Sequence, residues 1–95
     1  MVTVFFLLSW TEFGIKNIKE SPARYDDAKA LLESMGGQAK ALYLTSGDYD
    51  MVLIAEIPAD AVAKYALTLA QKGAVRTKTV RAWTEDEYRE VIASL

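Results

Sequence analysis

Asp50-Met51-Val52-Leu53-Ile54-Ala55-Glu56-Ile57 is apolar at six of its eight positions and is followed by Pro58. It is too short for a core helix, and its bounded, β-branched composition reads as a strand. Side chains alternate across a strand, so Met51, Leu53, Ala55 and Ile57 fall on one face and Val52 and Ile54 on the other. Both faces are apolar, which is the pattern of a strand covered on both sides.

The neighbouring segments build outward from it. Ser46-Gly47-Asp48 is a turn, with Gly47 free to take a positive φ and Asp48 able to hydrogen-bond locally. Residues 38–45 before the turn form the strand that pairs with it. At the N-terminus a second two-faced run places Val4, Phe6 and Leu8 against Phe5 and Leu7. Residues 11–20 are polar, hold Gly14 and suggest a loop or one irregular turn. Ser21-Pro22 starts a helix, with Ser as N-cap and Pro at the first helical position. Tyr25, Ala28, Leu31, Leu32 and Met35 form its apolar stripe, and Gly36-Gly37 ends it. Asp60 caps a second helix with Val62, Tyr65, Ala66 and Leu69 on one face, stopped at Gly73. Residues 75–83 form a fourth strand. Thr84-Glu85-Asp86-Glu87 then matches a capping box ahead of Tyr88, Val91, Ile92 and Leu95, the stripe of a short third helix.

The order is βαββαβ with a terminal helix, in one α+β domain over residues 1–95. Right-handed crossovers place strands one and three at the centre of a four-stranded antiparallel sheet, with two and four at the edges. The edge candidates are more polar, with Lys40 on one and Arg76, Lys78 and Arg81 on the other. Two crossover helices cover only one sheet face. A second copy packed face to face is the expected cover for the other, making a homodimer or higher oligomer. Partial cover by the terminal helix is the alternative.

Three stretches together resemble the GYD-domain family of small bacterial proteins: the run from Trp10 to Lys19, Ser21-Pro22-Ala23-Arg24, and Gly47-Asp48-Tyr49-Asp50 followed by Glu56-Ile57-Pro58-Ala59-Asp60. Here Asp48 stands between the glycine and the Tyr-Asp pair, a Gly-x-Tyr-Asp form of the motif. The resemblance covers essentially the whole chain. It implies a ferredoxin-like fold of the dimeric α/β-barrel kind, and little about activity, since the family is known mainly as one of unassigned function.

Composition narrows the chemistry. Cysteine and histidine are both absent, which disfavours zinc, copper and haem centres, so neither metal nor cofactor is expected. A net charge of −2 with the signs well mixed gives no reason to expect nucleic acid. An RNA-recognition module shares this element order but stacks bases on strand-three aromatics, and residues 50–57 contain neither an aromatic nor a basic side chain. The apolar start is about half a membrane span and lacks a basic leader, so no membrane partner and a cytoplasmic location are expected.

Candidate site residues gather at one rim. The end of strand one, the strand two–three turn and the start of strand four share a sheet edge. Trp10, Asn17, Tyr49, Asp50 and Arg76 are therefore the candidate ligand-binding residues, suited to a small polar or aromatic molecule or an organic acid. The competing reading makes Trp10 and Tyr49 packing residues, Asp48 a turn residue, and Arg76 the partner of Asp50. Asp50 and Glu56 lie ~20 Å apart along a strand, too far to cooperate in acid–base chemistry. Glu56 is either a desolvated base or a strand-end carboxylate, solvated or paired with a cation across the interface. No nucleophile motif or phosphate-binding glycine loop occurs. The expected function is a non-catalytic oligomeric module for a small ligand or a partner. The alternative, by fold-level analogy, is a cofactor-independent enzyme such as a monooxygenase or isomerase of the dimeric α/β-barrel type.

Overall fold

The computed structural model describes residues 1–95. Its elements are β1 (Val2–Trp10), α1 (Glu12–Lys16), a 3₁₀ turn (Ile18–Glu20), α2 (Ser21–Ser34), β2 (Gln38–Leu44), β3 (Met51–Ile57), a second 3₁₀ turn (Ala59–Ala61), α3 (Val62–Gln71), β4 (Val75–Ala82) and α4 (Glu85–Ala93). The sheet runs β2-β3-β1-β4 with every pairing antiparallel. The two apolar strands are thus central, as the sequence pattern requires, and the fold is a ferredoxin-like α+β sandwich.

Alternation decides what the helices cover. Val4, Phe6 and Leu8 of β1 join Leu53, Ala55 and Ile57 of β3, Leu32 of α2, and Tyr65 and Leu69 of α3 in one core. Tyr65 is its largest member and is fully buried. Its ring meets Phe6 edge-on at 5.2 Å, and its hydroxyl donates to the Ala28 carbonyl at 2.9 Å, tying α3 to α2. Burial, with a smaller contribution from Tyr25, pushes the Tyr65 phenol up to about 12. On the opposite sheet face Phe5, Leu7, Val52 and Ile54 are only partly buried, and no helix lies over them.

Local structure departs from the sequence expectation at residues 11–20. In place of a loop there is α1, because the Thr11 hydroxyl accepts the Gly14 amide at 3.1 Å and Glu12 and Lys16 pair across one turn. Chain entry into α2 also differs. The 3₁₀ turn runs straight into the helix, so Ser21 is itself helical and Glu20 holds the cap position without a side-chain bond. Another 3₁₀ turn absorbs Asp60 ahead of α3 in the same way. The capping box of α4 forms in full. Thr84 and Glu87 exchange hydrogen bonds, and those from Thr84, backbone first, hold the Glu87 carboxyl below its usual range.

This core yields a test in alkali. An acid whose folded-state pKa is raised contributes stability in full below its unfolded value near 10, and loses it as pH rises through about 12. Absorbance near 295 nm should therefore show one tyrosine of the five ionising last, together with unfolding. Tyr65→Phe should remove that late step and lower stability by about 1 kcal/mol, read by urea denaturation.

Candidate functional site

The C-terminal end of β1 is anchored on three sides. Thr11 N donates to the Ala74 carbonyl at 3.0 Å, and the Thr11 hydroxyl donates to the Gly73 carbonyl at 2.5 Å. Gly14 lies so close to Ala74 O that a Cβ at this position would collide with it. On the other side the Asp50 carboxylate accepts from the Trp10 amide at 2.9 Å, while Asp50 N donates to Leu8 O. Asp50 thus continues the β1–β3 pairing through its side chain. The turn before it is held by the Thr45 hydroxyl, which donates to Tyr49 O at 2.6 Å, and Gly47 takes φ +99 within it.

Trp10 faces the helices. With Leu8, Arg24, Tyr25, Ala28, Leu69 and others it lines a narrow apolar cleft between the sheet and α2–α3. The cleft holds about 540 Å³ with its open mouth included, but only about 60 Å³ is open to the centre of a water molecule. The smaller figure measures what the cleft can take, namely a molecule of a few heavy atoms. Arg24 and Lys72 supply its positive charge. Arg24 donates to Asn17 O at 3.0 Å and Gly14 O at 3.4 Å, which locks α1 to α2. The indole Nε1 of Trp10 is closed off from solvent and donates to nothing.

The five candidate residues are distributed around this end of the sheet. Trp10 lines the cleft, and Asp50 holds the Trp10 backbone. Asn17 closes α1 by donating from its amide to Phe13 O at 3.0 Å. Tyr49 lies under the Lys78 ammonium, 5.8 Å from its ring centre, near the limit of a cation–π contact. Arg76 stands exposed on β4 opposite Ser9 and makes no ion pair, with Asp50 or any other acid. Arg24, Tyr25 and Lys72 complete the cleft and were not singled out from the sequence. They sit on helices at positions where amphipathic spacing alone gives ordinary surface or core roles. Glu56 lies 3.8 Å from the Lys40 ammonium on the adjacent strand, with 38% of its side chain exposed, so it is a partly solvated strand-end carboxylate whose cation comes from its own chain.

A second surface is larger. Phe5, Leu7, Val52 and Ile54 form the open sheet face, flanked by Val80 and Tyr43, both exposed. The terminal helix does not cover it. None of the residues of α4 is buried, and no other element packs closely against it. No helix is long and apolar enough to cross a membrane.

The GYD domain model matches residues 5–92, nearly the whole chain. The chain belongs to the GYD-domain family. Among curated proteins it is 33% identical over 84 residues to the glutamine synthetase and cystathionine beta-lyase binding protein of Thermus thermophilus, spanning 86% of this chain and 88% of that protein. Solved structures agree on the fold. The leucine response regulatory protein of Mycobacterium tuberculosis superposes with a TM-score of 0.55 at 19% identity over 87% of this chain, which spans about half (51%) of that one. A hypothetical protein from Pyrococcus horikoshii gives a TM-score of 0.54 at 20% identity, covering 90% of this chain and 93% of that one.

The Asp50–Trp10 bond gives the site its stability test. A hydrogen bond to a charged acceptor contributes about 1.5–3 kcal/mol, so Asp50→Ala should lower the unfolding free energy by that order. Asp50→Asn, which keeps a neutral acceptor, should lose roughly half as much in the same denaturant titration.

Proposed function

We propose that this GYD-family chain is a non-catalytic binding module that works as a homodimer and engages a partner protein. The observation that carries this reading is the open sheet face. Phe5, Leu7, Val52 and Ile54 form a contiguous apolar surface that no element of the chain covers. From strand spacing, a four-stranded face seven residues long projects ~440 Å². Its apolar centre, on the two inner strands, is rimmed by Lys78 and Arg76, the arrangement of a site of protein association. Two such faces packed together bury each other at the usual sheet–sheet separation. The name of the Thermus thermophilus relative, a binding protein for two enzymes, supports a partner-binding role.

Two measurements test this. Sedimentation velocity should give a dimer at micromolar concentration for the wild-type chain and a monomer for Ile54→Asp, with the circular dichroism of the fold retained. In surface plasmon resonance, immobilised chain should capture purified glutamine synthetase or cystathionine beta-lyase in a saturable manner. Binding to neither would remove the support taken from the relative.

A second reading rests on the cleft. A buried donor without a partner costs about 1–3 kcal/mol, and a bound acceptor reached by a small turn of the Trp10 indole would remove that cost. Trp10, with Asn17, Tyr49, Asp50 and Arg76 around the same end of the sheet, would then serve a small polar ligand such as a short carboxylate, whether merely bound or turned over by a cofactor-independent enzyme. Trp83→Phe leaves Trp10 as the single tryptophan. Acetate, four heavy atoms with a carboxylate acceptor, should shift its fluorescence saturably in that variant. No saturable change up to tens of millimolar acetate would discard this reading.

A further inference from the structure

The terminal helix α4 presents a physical difficulty that the single chain does not resolve. It has nine residues, whereas isolated helices shorter than about 12–15 residues are marginal in water. Its capping box supplies a good start, but a cap contributes only about 1 kcal/mol. Most helical stability in proteins comes from packing an apolar face. That face exists. Tyr88, Val91 and Ile92 form one stripe, 49–56% exposed, and Leu95 just beyond the helix extends it. No other element packs closely on it. The radius of gyration is 14.2 Å and the longest extent 49 Å, against ~12.4 Å expected for a compact domain of this length. The helix stands off the body as an arm.

We infer that α4 is an exchanged arm: in the homodimer it crosses to the second copy and lays its apolar stripe along the β4 margin of that copy's open face, at Val80 beside Arg76 and Lys78. This deepens the dimer reading above and rests on it. The second copy fits as occupant on three counts. It offers an exposed apolar margin, Val80 on the outer strand, next to the central face that the two sheets bury between them. Charge also matches. The arm carries Glu85, Asp86, Glu87 and Glu90 against Arg89 alone, and Arg89 is bonded to Glu85 at 2.8 Å. The free edge of β4 carries Arg76 and Lys78, neither in an ion pair. Area points the same way. A standard interface takes about 800 Å² from each partner, more than the ~440 Å² projected by the sheet face. One arm given and one received, each ~13 Å long and ~10 Å wide, would add to it on every copy.

The chain has no cysteine, which permits a direct test. Full-length Ile92→Cys and Val80→Cys chains, mixed and oxidised gently, should give the mixed disulfide dimer several-fold above either symmetric one on a non-reducing gel. Sedimentation of Val91→Asp/Ile92→Asp should show the dimer dissociation constant raised about 100-fold, since each buried aliphatic side chain contributes about tenfold or more. In hydrogen exchange the α4 amides should be protected in the wild-type dimer and lose that protection in monomeric Ile54→Asp. A wild-type dimer unaffected by Val91→Asp/Ile92→Asp, while Ile54→Asp is monomeric, would overturn the arm and leave the dimer standing. Wild-type chain that stays monomeric at every concentration would overturn both. Protection of α4 persisting in monomeric Ile54→Asp would mean that the arm folds back on its own sheet, which also overturns the exchange.

Discussion

A sheet with two apolar faces and helices enough for one is the constraint from which the rest of this protein follows. β1 and β3 are apolar at nearly every position, so burying Val4, Phe6 and Leu8 under α2 and α3 turns Phe5 and Leu7 outward by strand geometry alone. A one-residue slip of register would exchange the faces without removing the excess. The helices cannot be spared from the covered side. Tyr65 and Leu32 are fully buried there, and the Tyr65 hydroxyl binds the two helices to each other. Cover for the second face therefore has to come from outside the helical layer.

At the rim, the same sheet is fastened by short-range chemistry. Gly14 gives α1 its close approach to Ala74, Thr11 bonds to both Gly73 and Gly14, and Arg24 ties α1 to α2. Asp50 spends its carboxylate on the Trp10 backbone and not on a cation. The residues most suggestive of chemistry in the sequence are thus also the ones that hold the end of β1 in place. The exception is the indole of Trp10. Its backbone is fixed and its ring lines the cleft, while its one donor is unpaired.

How much of this was legible in the sequence depended on the range of the interactions involved. Period-two and period-3.6 apolar spacing marks elements whose burial is set along the chain, so the four strands, α2, α3 and α4 were readable, as was the strand order. The Thr84–Glu87 box was readable because both partners lie within one turn. Residues 11–20 were not: their polar composition and Gly14 disguise a helix whose Thr11 cap and Glu12–Lys16 pair are local, and the contacts to Ala74 and Arg24 that seat it are tertiary. Pairing of Lys40 with Glu56 follows from a register shift between Ala39 and Ala41 that no local pattern announces. The cleft combines α2, α3 and both central strands, so Arg24, Tyr25 and Lys72 carried no signal of shared purpose. The standing-off of α4 was hidden for the opposite reason, because an amphipathic helix reads identically whether its apolar stripe meets its own chain or another.

The edges of the sheet decide how a second body can approach. Edge strands with free amides and carbonyls invite pairing with another chain, and proteins blunt them with charge and bulges. Both devices are present. β2 carries Lys40 at its register shift, and β4 carries Arg76, Lys78 and Arg81 in eight residues. Joining two β4 edges would set like charges against each other, and joining β2 edges would have to accommodate the bulge. The register sets Arg76 and Lys78 opposite Ser9 and Leu7, so this charge also rims the open face, whose centre is aliphatic and aromatic. Charge at the edges and hydrocarbon at the centre therefore direct any association away from strand addition and toward face-on packing. That geometry also leaves the end of β4, where the chain departs into Trp83 and α4, beside the meeting surface. An arm rooted there needs no long linker to reach the second body, and Thr84 with the capping box begins the helix as soon as the strand ends.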